Sequence, residues 1–494
     1  MKKSGKETKE MKGMKWYILL IAAVASVPLM TDYVLEGSCL EATLSRIRVI
    51  SQGLGTVFPI RVGTLGNMDY GYSAAAFQAD VFYLIPGLLH FLGVGLGEAY
   101  KLTLLLFNLL TAAVACRCFE KCTGRREVGV VGGMLYTWCP YRCSEMYLTG
   151  DLGEMAAWTF LPLLALGLKL LYTEDREGGA GSALEYGRLW VLLTWSFSLL
   201  AVSSTVFLFL AVAVMVLVLA AMGRETIKRR TLVVVGKTVG AVLAVNAWFL
   251  VPMLLRMRDV SVVGPMILQD VRSRGMYIAQ YFTVFSWGGD GVLLGENGMY
   301  KARAMGPGIA VILILLFYLW ILFARGREER WRRVVYGSTE GRFAGRMLCV
   351  SAALMLFSLN AFPWDIFQDK NMVFSIILAL LYSPAKLGIA ADMGLIVTAC
   401  ILLGRFAEVM EEKSYKLLLL AVACVSFGTT QFLLGKILTT QNFVRQAEIE
   451  AFGNVPFSLV TEESIIWRFC EAVSVAALFV CGIMWIMRRR KSAS

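Results

Sequence analysis

Long apolar stretches alternate with short polar segments along most of the chain, and the stretches run unbroken at helical length. A helix needs about 20 apolar residues to cross a bilayer, and about twelve stretches approach that length. They begin near Trp16, Glu98, Val128, Glu154, Leu189, Thr205, Leu232, Pro307, Met347, Leu387, Leu417 and Ile466. The pattern predicts an all-α, polytopic integral membrane protein, with residues 1–494 forming a single membrane domain.

The composition excludes a soluble enzyme. Hydrophobic residues make up 57% of the 494 residues and charged residues only 17%. A soluble domain is about half apolar and a quarter charged, so a water-soluble fold at this balance would expose large apolar patches.

The basic residues predict an orientation in the membrane. Most of the 48 Lys and Arg residues fall in alternate short segments, and the net charge is +12. These basic segments are the N-terminal Lys run, 117–126, 176–188, 224–230, 325–346, 405–416 and 488–491. The positive-inside rule then places both termini in the cytoplasm. Basic flanks of this kind attract the anionic inner leaflet, so the charge does not indicate nucleic acid.

Four long segments are predicted at the outer face: 32–97, 254–306, 362–386 and 435–465. Within the first of them, Val81 to Leu96 is apolar but interrupted by Pro86 and several glycines, which favours an interfacial or re-entrant helix. The apolar stretch 364–382, which is bounded by Pro363 and Pro384, also favours an interfacial or re-entrant helix. Because polar chemistry concentrates in these loops, we expect function to lie at this face.

The first outer loop carries acids and arginines immediately after the first span. Glu36 and Glu41 are candidates for a general base that activates a hydroxyl group, and Arg46 and Arg61 for guanidinium forks that hold a phosphate. The alternative is a solvated amphipathic helix whose acids and bases pair with each other.

A second cluster joins the third and fourth spans at the same face. It contains Arg142, another candidate for phosphate binding, and Asp151 and Glu154, candidates for orienting an acceptor or a base. Two alternatives stay open. Glu154 opens a helix, where the dipole favours a carboxylate, and Arg142 can form a salt bridge with Glu145 three residues on.

Neither a metal nor a cofactor is predicted. The 11 Cys are scattered, and the single His leaves too few partners for a His-based zinc site. The cluster of Cys116, Cys118 and Cys122 is typical of reduced cytoplasmic thiols.

The order of several short motifs resembles the GT-C superfamily of membrane glycosyltransferases, in particular the bacterial branch catalogued as 6-pyruvoyl-tetrahydropterin-synthase-related membrane proteins. The matching motifs are Ser45-Arg46-Ile47, Phe58-Pro59-Ile60-Arg61, Tyr70-Gly71-Tyr72, Tyr83-Leu84-Ile85-Pro86, Ala99-Tyr100-Lys101, Pro140-Tyr141-Arg142, Gly153-Glu154 and Phe160-Leu161-Pro162-Leu163. Weaker echoes continue to Ser383-Pro384-Ala385-Lys386.

The resemblance implies a transferase that uses a polyprenyl-phosphate-linked sugar at the outer face of the bacterial cytoplasmic membrane, as part of cell-envelope assembly. It also implies a catalytic Asp in the first loop, and Cys39 stands at that position. A thiol is a poor replacement for a carboxylate base, so Glu36 or Glu41 has taken over or the site is silent. Lys386 stands where the resemblance implies a phosphate-binding Arg, which weakens bidentate binding.

The sequence therefore predicts a GT-C-like glycosyltransferase or a diverged relative. Its partners are a polyprenyl-phosphate-linked sugar and membrane lipids, without nucleic acid. Two other classes stay open: a catalytically silent protein of envelope assembly, and a transporter or flippase of lipid-linked material. A transporter would usually show inverted repeats and ionisable groups within its spans, and neither pattern is evident.

Overall fold

The computed structural model describes residues 2–54, 79–173, 189–256, 271–284, 292–295, 298–301, 303–323, 331, 337–364, 366, 383–451 and 465–491. Most of these residues are helical. In chain order the helices are α1 (Lys2–Ala25), α2 (Leu40–Leu54), α3 (Leu84–Phe91), α4 (Leu96–Thr123), α5 (Arg126–Thr137), α6 (Pro140–Ser144), α7 (Leu152–Thr173), α8 (Leu189–Ser203), α9 (Thr205–Met222), α10 (Arg229–Val245), α11 (Ala247–Arg256), α12 (Ile309–Phe323), α13 (Thr339–Ser358), α14 (Leu387–Phe406), α15 (Glu412–Thr440), α16 (Gln446–Ala451) and α17 (Ile465–Lys491).

Helices occur at or next to all twelve predicted starts, but fewer qualify as membrane spans. Five are long and apolar enough to cross a membrane, and a sixth qualifies if α10 and α11, which meet at 76°, form one bent span. The qualifying segments are Leu96–Thr123, Leu152–Thr173, Thr205–Glu225, Pro384–Phe406 and Glu412–Thr440. The predicted helical membrane protein is thus confirmed, whereas the count of about twelve spans is not. Helices such as α5, with 12 residues, are shorter than the usual span of about 20.

Two small antiparallel sheets depart from the all-α prediction. Strand β1 (Tyr33–Leu35) pairs with β4 (Phe443–Arg445), and β2 (Val292–Gly295) pairs with β3 (Gly298–Lys301). Strands of three or four residues are too short to show an alternating pattern. The first sheet joins the beginning of the chain to its last third.

Helix α14 forms the centre of the bundle. Its most apolar stretch is entirely buried, and the helix packs against α13, α5, α12 and α4. A short 3₁₀ turn, Pro384–Lys386, leads into it, and the Ser383 hydroxyl accepts a hydrogen bond from the Ala385 amide at 3.2 Å. The end of the most buried helix therefore carries a lysine.

Segments predicted on the same side of the membrane contact each other. At one end of the bundle, the Glu36 amide donates to the Asn442 carbonyl at 2.8 Å, and Lys386 contacts Glu145. Glu340 and Arg405, both in segments predicted to be cytoplasmic, lie 3.6 Å apart, and Glu340 also pairs at 2.7 Å with Lys169 of α7. The contacts agree with the predicted division of the loops into two sets. The compartment that each set faces stays a prediction.

The predicted interfacial segment forms the short helix α3, which cannot cross a membrane at 8 residues. One face packs on α2, where a Cβ on Gly87 would lie 2.6 Å from the Ile50 side chain. The other face exposes Leu88, Phe91 and Leu92. Protein therefore covers only one face of the predicted interfacial helix. The similar prediction for 364–382 falls almost entirely outside the described residues.

Candidate functional site

Three buried charged side chains meet at the N-terminal end of α14. The Lys386 ammonium lies 2.5 Å from a Glu154 oxygen and 3.2 Å from a Glu145 oxygen. All three side chains are about nine-tenths buried or more. A cation is unfavourable at a helix N-terminus, but two carboxylates offset that cost here. We call Lys386, Glu145 and Glu154 the ion triad.

The two acids of the ion triad come from adjoining helical segments. Glu145 begins a π-helical turn, Glu145–Thr149, which ends at Gly150 in the left-handed conformation (φ 74°). Glu154 lies in the first turn of α7, where Asp151 caps the helix by accepting from the Gly153 and Glu154 amides at 2.8 and 3.1 Å. π-turns of this kind are frequent at functional sites.

Charge keeps Glu145 ionised. Burial alone would raise its pKa, but the Lys386 ammonium and, more weakly, the Arg303 guanidinium outweigh burial and hold the pKa of Glu145 below its usual range. Lys386 and Glu145 are therefore opposite charges held inside protein, and removal of either would leave the other uncompensated.

The first loop is attached to the π-helical turn through its backbone. The Ser38 amide donates to the Leu148 carbonyl at 3.0 Å, and the Cys39 amide donates to the Thr149 carbonyl at 2.8 Å. Gly37 permits this approach, because a Cβ there would lie 2.6 Å from the Thr149 carbonyl oxygen. The two clusters that the sequence showed separately are thus one site.

Cys39 faces the acids of this site. Burial raises the pKa of the Cys39 thiol, and the carboxylates of Asp151 and Glu154 raise it further. The residue that stands in place of the implied Asp is therefore a neutral thiol beside two carboxylates. It is unsuited to act as a base at neutral pH.

Arg46 lies on the other side of Asp151. Its guanidinium is 3.7 Å from an Asp80 carboxylate oxygen and 5.5 Å from the centre of the Tyr83 ring. The Tyr83 hydroxyl in turn donates to Asp151 at 3.4 Å. About a fifth of the Arg46 side chain is exposed.

The predicted bases line a cavity of ≈ 280 Å³. Glu36 and Glu41 contribute to its wall, together with residues of the turn between α15 and β4. Both carboxylates are on exposed residues, in contrast to the buried Glu154. We call this space the loop cavity.

Two predicted phosphate ligands are occupied by protein groups. Lys386 belongs to the ion triad, and Arg142 is fully buried and donates to the Thr137 carbonyl at 3.0 Å and to Asn108 Oδ1 at 2.7 Å. Phosphate binding by either residue stays a prediction, and this geometry favours structural roles. The predicted salt bridge between Arg142 and Glu145 is replaced by these contacts. Arg61 lies outside the described residues.

Arg303 was missed by the sequence reasoning. It donates to the Thr149 hydroxyl at 2.8 Å and to the Leu148 carbonyl at 3.0 Å, so it holds the same π-helical turn as the first loop does. The residue lies in a long loop with no recognisable motif, and its partners are more than 150 positions away. Asp80, which pairs with Arg46 in the same predicted outer segment, was also missed.

No arrangement for a metal ion is found within the described ranges: no group of three or more His, Cys, Asp or Glu side chains is placed to hold one. The chemistry of the site is therefore considered through its carboxylates, its guanidinium groups and the loop cavity.

Together, the fold and site define a polytopic helical membrane protein with a charged site at one end of its bundle. Among solved structures, the chain is similar to the arabinofuranosyltransferase AftD from Mycobacteria, with 13% identity, a TM-score of 0.42, and coverage of 86% of this chain and 27% of that one. It is also similar to the oligosaccharyltransferase AglB from Archaeoglobus fulgidus in complex with an inhibitory peptide and a dolichol-phosphate. Here the identity is 13%, the TM-score is 0.45, and the coverage is 88% of this chain and 56% of that one. The apo form of the Archaeoglobus fulgidus oligosaccharyltransferase is 12% identical to this chain, with a TM-score of 0.47 and coverage of 93% of this chain and 64% of that one.

The chain spans less than two thirds of the length of each of these three proteins. With TM-scores below 0.5, these likenesses carry no argument about the superfamily or the activity of this chain. The resemblance to GT-C glycosyltransferases, and to the bacterial branch within them, therefore stays a prediction. No family model and no curated protein matches the sequence.

Proposed function

We propose that this chain is a GT-C-like membrane glycosyltransferase that uses a polyprenyl-phosphate-linked sugar. One observation carries the proposal. Residues Glu36 to Glu41 of the first loop include amides that bond to the π-helical turn next to the ion triad, and most of these residues also line the loop cavity. A transferase needs these two environments next to each other, one for the phosphate of the donor and one for the acceptor.

The proposed reaction uses the exposed acids as the base. Glu41 or Glu36 takes the proton of an acceptor hydroxyl group, and the hydroxyl oxygen attacks the anomeric carbon of the donor sugar. The bond between that carbon and the phosphate oxygen breaks, and the phosphate leaves with the electron pair. Arg46 stabilises the departing charge, together with Arg61 as predicted from the sequence.

The buried groups have a different part in this proposal. Asp151 fixes the start of α7 and accepts from Tyr83, while Glu154 is held by Lys386. These groups position the first loop and do not transfer protons. The proposal therefore assigns proton transfer to Glu36 or Glu41 alone.

The experiment measures sugar transfer from synthetic polyprenyl-phosphate sugars by the full-length protein in nanodiscs. We expect Glu41→Gln or Glu36→Gln to lower turnover by about 10²–10⁴-fold, the usual contribution of a general base. Glu408→Gln, an exposed acid that pairs with Arg405, serves as the matched control. Full activity in both first-loop variants would rule out the assignment of the base.

Cys39 favours a second candidate, a silent protein that binds the same lipid-linked ligand. Native mass spectrometry of the purified protein separates the two. Co-purified polyprenyl-phosphate sugar with no transfer to any acceptor supports the silent binder. If neither bound lipid nor transfer is found, both candidates are wrong.

A further inference from the structure

The loop cavity is built from two distant parts of the chain. Its inner wall is the start of α2, and its outer wall is the turn that leads from α15 into β4. The β1–β4 pairing and the bond from the Glu36 amide to the Asn442 carbonyl hold these walls together. The volume of ≈ 280 Å³ is therefore fixed by backbone contacts on two sides.

The lining combines an apolar floor with a polar rim. Leu44 and Val444 provide apolar surface, and Glu41, Ser45 and Asn442 provide carboxylate, hydroxyl and amide groups. Among the residues that the structure describes, neither lysine nor arginine lines the cavity. This composition differs from that around the ion triad, where each acid contacts or lies near a cation.

The polar rim defines the ligand. Carboxylate and amide oxygens accept hydrogen bonds from hydroxyl groups, and a hydrogen bond to a charged group is stronger than one between neutral groups. A phosphate or carboxylate ligand would instead face Glu36 and Glu41 without a cation among the lining residues, and like charges disfavour that arrangement. The apolar floor suits the C–H face of a sugar ring.

We propose that the loop cavity binds a neutral, hydroxyl-rich carbohydrate, and that this carbohydrate is the acceptor of the transfer reaction. The assignment as acceptor rests on the proposed function. The site places a sugar hydroxyl group against Glu36 and Glu41. Anionic sugars are excluded by the charge of the cavity wall.

Binding is tested without donor, so that it does not depend on transfer. Neutral methyl glycosides of glucose, mannose, galactose and arabinose, and the matching uronates, are titrated against the full chain in nanodiscs by saturation-transfer NMR. We expect saturable binding of at least one neutral glycoside, with the uronates about 10-fold weaker or more. Failure of every neutral glycoside to bind, or equal binding of a uronate, would overturn the proposal.

Two variants locate the binding. Leu44→Trp fills the cavity and is expected to abolish binding, and Asn442→Ala removes an amide from the rim and is expected to raise Kd about 5- to 10-fold. Thr439→Ala, exposed on the last turn of α15, is the matched control. If Asn442→Ala and a folded Leu44→Trp protein both bind as the wild type does, the ligand lies elsewhere.

The two proposals fail in different ways. Saturable glycoside binding without any sugar transfer would contradict the proposed function and leave the carbohydrate site standing. Transfer that persists unchanged in Leu44→Trp and Asn442→Ala would contradict the acceptor site and leave the glycosyltransferase proposal standing.

Discussion

Replacement of Lys386 with methionine would leave Glu145 and Glu154 close together without their shared ammonium. Removal of one partner of a buried ion pair costs about 3–5 kcal/mol, because the remaining charge is uncompensated. The ammonium contacts one carboxylate at 2.5 Å and the other at 3.2 Å, and the three side chains are at most 11% exposed, so we expect the upper part of that range.

Glu154→Gln should behave quite differently. It leaves one ammonium with one carboxylate, Glu145, and a Gln side chain that still accepts a hydrogen bond from Lys386. The expected cost is about 1–2 kcal/mol, close to the difference between a charged and a neutral hydrogen bond. The double variant Lys386→Met with Glu154→Gln removes the clash between carboxylates and should lie between the two single variants.

The assay is thermal unfolding of each variant in nanodiscs at pH 7.5 and pH 5.5. At the lower pH, proton uptake by one carboxylate replaces the missing ammonium, so Lys386→Met should regain stability relative to the wild type. Equal stability of Lys386→Met and Glu154→Gln at pH 7.5 would refute this account of the ion triad. Glu408→Gln again serves as the exposed control.

Three further outcomes follow from the site. Because the pKa of the Cys39 thiol is raised, Cys39 should react with maleimide mainly at alkaline pH. Asp151→Asn keeps a good N-cap and should shift this reaction to lower pH, which site-resolved mass spectrometry measures. An unchanged pH profile would contradict the predicted effect of Asp151. Gly37→Ala should cost about 1–3 kcal/mol in thermal unfolding, since its Cβ would meet the Thr149 carbonyl at 2.6 Å, and a wild-type midpoint would contradict that contact. Arg142→Lys should lower the unfolding temperature, because the guanidinium donates to Thr137 and Asn108, and it should not reduce the amount of lipid bound per folded molecule. Selective loss of bound lipid would instead support Arg142 as a phosphate ligand.

Local patterns predicted much of the helical structure. Apolar length and the charges of short loops located the helices and divided the loops into two sets, because both signals are encoded within a few turns of sequence. The count of spans was less predictable. Helix α5 ends after 12 residues, and the separate helix α6 and a π-helical turn follow it. The apolar pattern alone does not predict this break.

The site was predictable in its parts and not in its arrangement. Glu36 and Glu41 were expected to act as bases from their place in the first loop, and the structure puts both on a cavity. Lys386 was expected to contact phosphate, and it pairs with Glu145 and Glu154 more than 230 residues away. Such contacts depend on which helix ends meet, and no local pattern records that.

The pairing of β1 with β4 has a consequence for how the protein is made. The Gln441 side chain donates to the Glu36 carbonyl across a separation of 405 residues, next to strands that are equally distant in sequence. During synthesis the first loop emerges long before its partner strand, and contacts of such high sequence separation form late in folding. Ribosomes stalled before β4 would therefore hold a chain whose helices can insert but whose loop cavity has one wall. The second wall of the loop cavity is therefore added only after α15 and β4 have been made, while α17 is still to follow.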